Sequence, residues 1–440
     1  MGGNPADMDK KPWEEQLPHG IRNTRGLESD LNISDDERKV LRELAKRVAE
    51  LAARPIEDEK KKLWTKHNDL EQTRPLIFIS PENGWNEIIT AEQLQCETPI
   101  ARTWEMELRK EIFWGEELKD DRVITPYFDI SYNYDDGNYG LEPKKTRTSK
   151  DGAFKFVPPI KNYEEDFPKL QLPELEVDFE STEKIFNLAQ DTFGDILKVR
   201  LRGIWWDTLG MTVDYMSLRG LDKFMFDLCE RPEWVHKTME FLRDSVMKKL
   251  DYLEDNGLLG LNTGGSYVGS GGFGWTNELP QDDFDSGEVR TMDMWGFAES
   301  QETVGISPQM FAEFIFPYQK PILERFGLNC YGCCEPLNQR WETVKEIPRL
   351  RRVSVSDWAD LEQMAEYLGQ DYIYSWKPSP TPLSRSNIRE EVVRQDLREA
   401  LTAAKDNHLE IIMKDNHTLG NNPNNAVRWV EIAREEIKNL

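Results

Sequence analysis

From Ile196 onward the chain alternates short apolar runs with amphipathic helical stretches, and this rhythm constrains the fold more than any other feature. Strand, crossover helix and parallel strand form the repeating unit of an α/β fold, because parallel neighbours need a long return connection. The runs are Ile196 to Gly203, Leu258 to Asn262, Leu328 to Tyr331, and those at Val353, Tyr372 and Leu409 to Met413. Two earlier ones, Leu76 to Ser80 and Val123 to Ser131, bring the expected strands to eight, with Pro126 marking an irregular or edge position. Eight such units predict an α/β protein of the TIM (β/α)8 barrel type rather than an open doubly wound sheet. A glycine-rich stretch, Gly264-Gly265 and Gly269 to Gly274, lacks the spacing of a phosphate cradle.

The intervening helices are legible from their caps. Ser34 precedes Asp35, Asp36 and Glu37, and Val40, Leu41, Leu44, Val48 and Leu51 trace one apolar face. A mixed helical region covers Trp104 to Leu118. Pro232 opens a helix with the face Val235, Met239, Leu242, Val246, Leu250 and Leu253, ended by Gly257. The helix opening at Ser307-Pro308 is expected to bend at Pro317 or Pro321 and to end at Gly327. Helical patterns at Leu361 to Leu368, Ile388 to Ala404 and after Asn422-Pro423 complete the alternation. The organisation is therefore an N-terminal arm and helical extension over 1–74, the first 30 or so residues of it without periodicity, followed by a barrel over 75–440. Long connections are expected at 132–173, either a lid or a homodimer contact, and at 263–305.

With 56 Lys and Arg against 81 Asp and Glu, the formal charge of -25 argues against nucleic-acid and anionic-membrane partners. No apolar leader or membrane-length run is present, so a cytoplasmic protein is expected. Five cysteines, an odd number without a secretion signal, point to reduced thiols available to bind metal.

Three of those cysteines fall in Phe326 to Leu337, where Gly332 turns the backbone after a strand and presents Cys333, Cys334 and Glu335. Thiolates are soft metal ligands that need His or carboxylate partners from elsewhere to complete a zinc site. The distant partner is His417, which follows the run Leu409 to Met413. Polar residues sort onto the ends of expected strands: Cys333 and Cys334, Asp357 and Trp358, Trp376 and Lys377, Asp415 and His417. Such ends carry the active sites of barrels. The loop 263–305 adds Tyr267, Trp275, Glu299 and Glu302, either glutamate being a zinc ligand, a proton donor or a solvated carboxylate. Packed thiols, a helix-capping Asp357 and a loop histidine at 417 are the plainer readings of the same residues.

The order Ser300-Gln301-Glu302, Ser307-Pro308-Gln309-Met310-Phe311, Glu313-Phe314, Pro317-Tyr318, the Cys-rich turn, Trp376-Lys377-Pro378 and Lys414 to Trp429 resembles the uroporphyrinogen decarboxylase superfamily. It is more similar to the zinc-dependent, corrinoid-linked methyltransferase branch of O-demethylases and coenzyme M methyltransferases than to the decarboxylases. The arginine-bearing signature of the latter is absent after Leu76 to Ser80. The resemblance covers about residues 75 to 440 and implies a zinc methyltransferase exchanging methyl between a small donor, a methoxylated aromatic fitting best, and a corrinoid on a partner protein. It implies Zn2+ held by Cys333, His417, Glu299 and Cys334, with Tyr331, Asp357 and Glu302 as catalytic or pocket groups. Tyr331-Gly332-Cys333 stands where that branch has His-x-Cys, and His417 falls near its late Cys. Alternatives are a metal-free decarboxylase-like enzyme for a small carboxylic acid and a non-catalytic subunit of a corrinoid complex.

Overall fold

In the computed structural model, residues 25–147, 154–203 and 208–439 are described. The expected arm therefore lies, through residue 24, outside the described residues. Helix α1 (Asp35–Ala52) starts where Ser34 and Glu37 form a reciprocal cap, and it buries Leu41, Ala45, Val48 and Leu51 as the 3.6-residue pattern requires. Helix α2 (Pro55–Asn68) follows with proline in its first turn.

Eight parallel strands come next in chain order: β1 (Leu76–Ile79), β2 (Tyr127–Ser131), β3 (Lys198–Arg202), β4 (Trp295–Ala298), β5 (Leu328–Tyr331), β6 (Leu350–Val355), β7 (Ile373–Trp376) and β8 (His408–Met413). Six form one sheet in the order β1-β8-β7-β6-β5-β4, and β2 pairs with β3 in a second. The α/β class and the parallel sheet agree with the sequence, but among the described residues no continuous ladder joins the two sheets into a closed barrel.

Side chains occupy the places where ladders stop. On the outer edge of β1, Asp120 and Asp121 carboxylates accept from the backbone N–H groups of Ile79 and Ile77 at 3.0 and 2.8 Å. On the outer edge of β4, the Asn262 amide accepts from Trp295 N and donates to Trp295 O, both at 2.9 Å. A primary amide so placed copies the donor and acceptor of a neighbouring strand.

This corrects the strand expected at Leu258 to Asn262, which joins no ladder, while the strand β4 lies inside the expected loop 263–305. Gly260 lies against Gly203, where a Cβ would come within 2.1 Å of the Gly260 nitrogen, so packing at 258–262 is set by glycine contact and one side chain. The window Trp-Gly-Phe-Ala of β4 is too short for periodicity to separate it from loop. β2 starts after Pro126, which lacks the N–H that a ladder needs. The helix expected after Ser307 breaks at Ile315 into Pro308–Phe314 and Phe316–Leu323, with Pro317 in the first turn of the second piece.

The helical extension does more than pack. His67 Nε2 lies 3.2 Å from Glu410 Oε2, and Asn68 donates to the Phe273 and Trp275 carbonyls at 2.7 and 2.6 Å. Arg352 Nε donates to Glu410 Oε1 at 2.9 Å and its Nη2 to Asn68 Oδ1 at 2.6 Å. The end of α2 thus reaches a buried ionic network on the inner face of β6 and β8. The glycine-rich loop faces the same network: a Cβ at Gly272 would meet Arg352 at 2.9 Å, and one at Gly269 the Cys330 Cβ at 2.7 Å. Close backbone approach, with left-handed φ values of 85° and 66°, accounts for those glycines.

The described part of the excursion 132–173 packs on its own chain. Tyr163 stacks on Trp234 at 5.1 Å between ring centroids and shares hydrogen bonds of 2.8 Å with Tyr215 and Asp227. Among the described residues no helix is long and apolar enough to cross a membrane.

Candidate functional site

Parallel strands present their carboxyl ends on one rim, and the loops after β4, β5 and β8 meet there. Gly332, at φ 91°, turns the chain after β5, and Glu335 locks that turn. Its two carboxylate oxygens accept from Cys333 N at 2.9 Å and Ser300 N at 2.8 Å, joining the ends of β5 and β4.

The sulfur of Cys333 is buried and has two partners. Lys414, directly after β8, donates from Nζ to Cys333 Sγ at 2.9 Å. Cys334 Sγ lies 3.7 Å from Cys333 Sγ and 3.6 Å from Asp415 Oδ2. The hydrogen bond from the Cys334 thiol, with the Lys414 ammonium, outweighs burial and holds the Cys333 thiol below the usual range. Cys334 moves the opposite way, pushed up by that same neighbouring sulfur and by burial. The geometry favours charge on Cys333 over charge on Cys334.

Glu299, at the end of β4, is buried at 2 % exposure. Burial, then the nearby Glu335 and Glu302 carboxyls, push its pKa well above the carboxylate range, although Gln301 N donates to it at 2.7 Å. Its neutral form is favoured by that surrounding. Burial likewise raises Glu335. Glu302 is half-buried and accepts from Thr212 Oγ1 at 2.6 Å. Lys377 lies deeper, donating to the Ser375 carbonyl at 3.0 Å, and burial lowers its pKa to about 7.

The other expected site residues are placed differently. Tyr331 is buried and donates to Gln319 Oε1 at 2.7 Å, and Gln319 donates in turn to the carbonyls of Gly210 and Glu299 at 2.8 and 2.9 Å. It positions Glu299 from behind. Asp357 is exposed, and the following helix is capped by Asp360, which accepts from Gln363 N at 3.0 Å. His417 is exposed, and the contacts it makes run through its backbone, to Asp415 O and Asn83 Nδ2.

All five cysteines are free thiols. Among the described residues no three His, Cys, Asp or Glu side chains converge as metal ligands. The donor expected to bind hardest, Cys333, is already engaged by an ammonium, so the residues as arranged do not fit the zinc that the sequence resemblance implies. Lys414 is the site residue to which sequence reasoning gave no role, and Glu335 was placed on the turn without the locking role it has.

Beside this cluster lies a cavity of about 190 Å³ walled by aromatic rings, among them Trp85, Trp104, Phe128 and Tyr267. Glu82 lines it and accepts from Asp415 N at 3.0 Å, which ties the cavity to the residue after Lys414. Burial, then Asp415, pushes the Glu82 carboxyl up to about 7.

No protein-family model and no curated protein matches this chain. A solved structure described as a methyltransferase from Methanosarcina mazei is similar at 10 % identity and TM-score 0.49, over 86 % of this chain and 99 % of that one. Nothing about chemistry is transferred from a likeness at that level.

Proposed function

We propose that this chain is a methyltransferase that removes the methyl group of a small methoxylated aromatic and delivers it to a reduced corrinoid carried by a partner protein. The carrying observation is the buried Glu299 carboxyl, pushed toward its neutral form, at the same strand ends as the Cys333 sulfur and the Lys414 ammonium that donates to it at 2.9 Å. The order of motifs from Ser300 to Trp429 supports the same reading.

An aryl ether resists cleavage because its oxygen leaves as an anion. A carboxylic acid that is neutral at working pH can protonate that oxygen as the bond breaks. The C–O electron pair goes to oxygen and takes the Glu299 proton, while the incoming nucleophile supplies the pair for the new bond to methyl. The Cys333–Lys414 pair is a fixed dipole beside the reacting group, charged without help from solvent. No step is drawn through zinc, since its ligands do not converge.

The test is anaerobic incubation of the full chain with methoxylated aromatics and a reduced corrinoid protein, reading phenol formation. Phenol formed by the wild type and lost in Glu299→Gln supports the reading. Carbon dioxide released from an aromatic acid, with no phenol, would replace it with a carboxy-lyase.

A further inference from the structure

The aromatic cavity holds an imbalance of charge. Four cations line it, Lys110, Arg122, Arg200 and Arg202. Lys110 donates to Glu107 at 2.8 Å, and Arg122 to Glu111. Arg200 takes Asp129 with two nitrogens, the Nη2 bond being 3.1 Å. Among the described residues, Arg202 has the Ser266 hydroxyl and a 3.7 Å ion pair with the same Asp129. Its side chain is only 10 % exposed, and it shares that carboxylate with Arg200 rather than holding one of its own. Among the described residues lining the cavity three carboxylates thus answer four cations, and the fourth acid, Glu82, is engaged by Asp415 N and held toward its neutral form.

A buried guanidinium without its own carboxylate is costly unless an anion arrives. The planar fork of arginine suits a carboxylate in particular. The surrounding rings and the volume of about 190 Å³ suit one planar ring. Pockets for larger ligands run from roughly 300 to 1,000 Å³, so the volume favours a single ring over a polycyclic ligand.

We propose that this cavity binds an aromatic carboxylic acid, with the carboxylate on Arg202, the ring between Trp85, Trp104 and Phe128, and the far substituent directed past Tyr267 and Glu82 toward Lys414. The inference rests on the methyltransferase reading for what that substituent is, and it narrows the donor to a methoxylated aromatic acid.

Titration calorimetry of the full chain with para-methoxybenzoate and with the neutral para-methoxytoluene tests it. The acid binds the wild type more tightly than the neutral ether. Arg202→Gln weakens the acid by at least about tenfold, the size of a lost charge-assisted contact, and leaves the neutral ether unchanged. Arg202→Lys, retaining charge, recovers part of the loss, and matched thermal unfolding shows that the variants fold. Equal binding of both ligands by the wild type, or acid binding untouched in Arg202→Gln, overturns the proposal. Acid binding that depends on Arg202 with no methyl transfer would retain this site and remove the methyltransferase reading. Transfer from neutral ethers without acid binding would do the reverse.

Discussion

Lys414 Nζ lies 2.9 Å from the sulfur of Cys333, although 81 residues separate them in sequence. An ammonium and a thiol so close, both buried, share one proton in the way that favours thiolate and cation together. Lys414 is itself raised well above its usual range, burial being outweighed by Cys333 and its neighbours.

Lys414→Met therefore raises the Cys333 thiol. Its alkylation by iodoacetamide near neutral pH, followed by mass spectrometry of the peptide, slows by at least about tenfold, since each pKa unit is a factor of ten in thiolate. Cys334→Ala acts in the same direction, because its thiol is the first support of that charge. An unchanged rate in both variants would show that neither group holds the thiolate.

Glu299→Gln keeps the shape of the side chain and loses the proton. The expected loss in kcat is about 10²- to 10⁴-fold, the range of general acid catalysis, with little change in KM. In the wild type kcat falls on the alkaline side as Glu299 ionises. A flat alkaline limb would assign the acid elsewhere.

Chelation separates the metal-free arrangement from the zinc site that the sequence resemblance implies. Methyl transfer is expected to survive dialysis against a strong chelator, with zinc measured by elemental analysis before and after. Loss of activity restored by zinc alone would mean that Cys333 exchanges its ammonium for a metal.

Glu410→Gln leaves Arg352 buried with no carboxylate at 2.9 Å, and breaking such a pair costs about 3–5 kcal/mol in chemical denaturation. Burial would raise the Glu410 pKa, but Arg352 and His67 lower it from 4.5 to about 2. A carboxyl depressed in the folded state contributes stability above its unfolded pKa and loses it as pH falls. The wild type should weaken from pH 4.5 down to about 2, a slope absent in Glu410→Gln.

Glu82 has the opposite sign. Its pKa rises from 4.5 to about 7, so the folded chain binds more protons between those values and stability falls as pH increases through that window. Glu82→Gln removes the slope, a contribution on the order of 1–3 kcal/mol at neutral pH. Identical pH profiles for the two proteins would place the carboxyl in water.

The α/β class and most of the strands were legible because each depends on local signals. Runs such as Leu328 to Tyr331 and Leu409 to Met413 sit between caps and glycines, and both form strands. Leu258 to Asn262 failed as a strand because one amide side chain, Asn262, took over the pairing that a backbone would have made. No period in a sequence encodes that substitution.

The sequence by itself determined that Cys333 and Cys334 stand where a loop leaves a parallel sheet, because that strand end follows from an apolar run and a turn glycine, whereas Glu299 and Glu302 were legible only as loop carboxylates. It did not determine their company. Tyr331 turned behind the strand to Gln319, Asp357 and His417 faced solvent, and Lys414 turned inward to the thiol. Side-chain direction at a strand end depends on the twist of the sheet and on what packs beneath it, and these exist only once distant segments have met. The pairing of one thiol with one amine across 81 residues, and the protons it fixes, are therefore decisions of the tertiary structure.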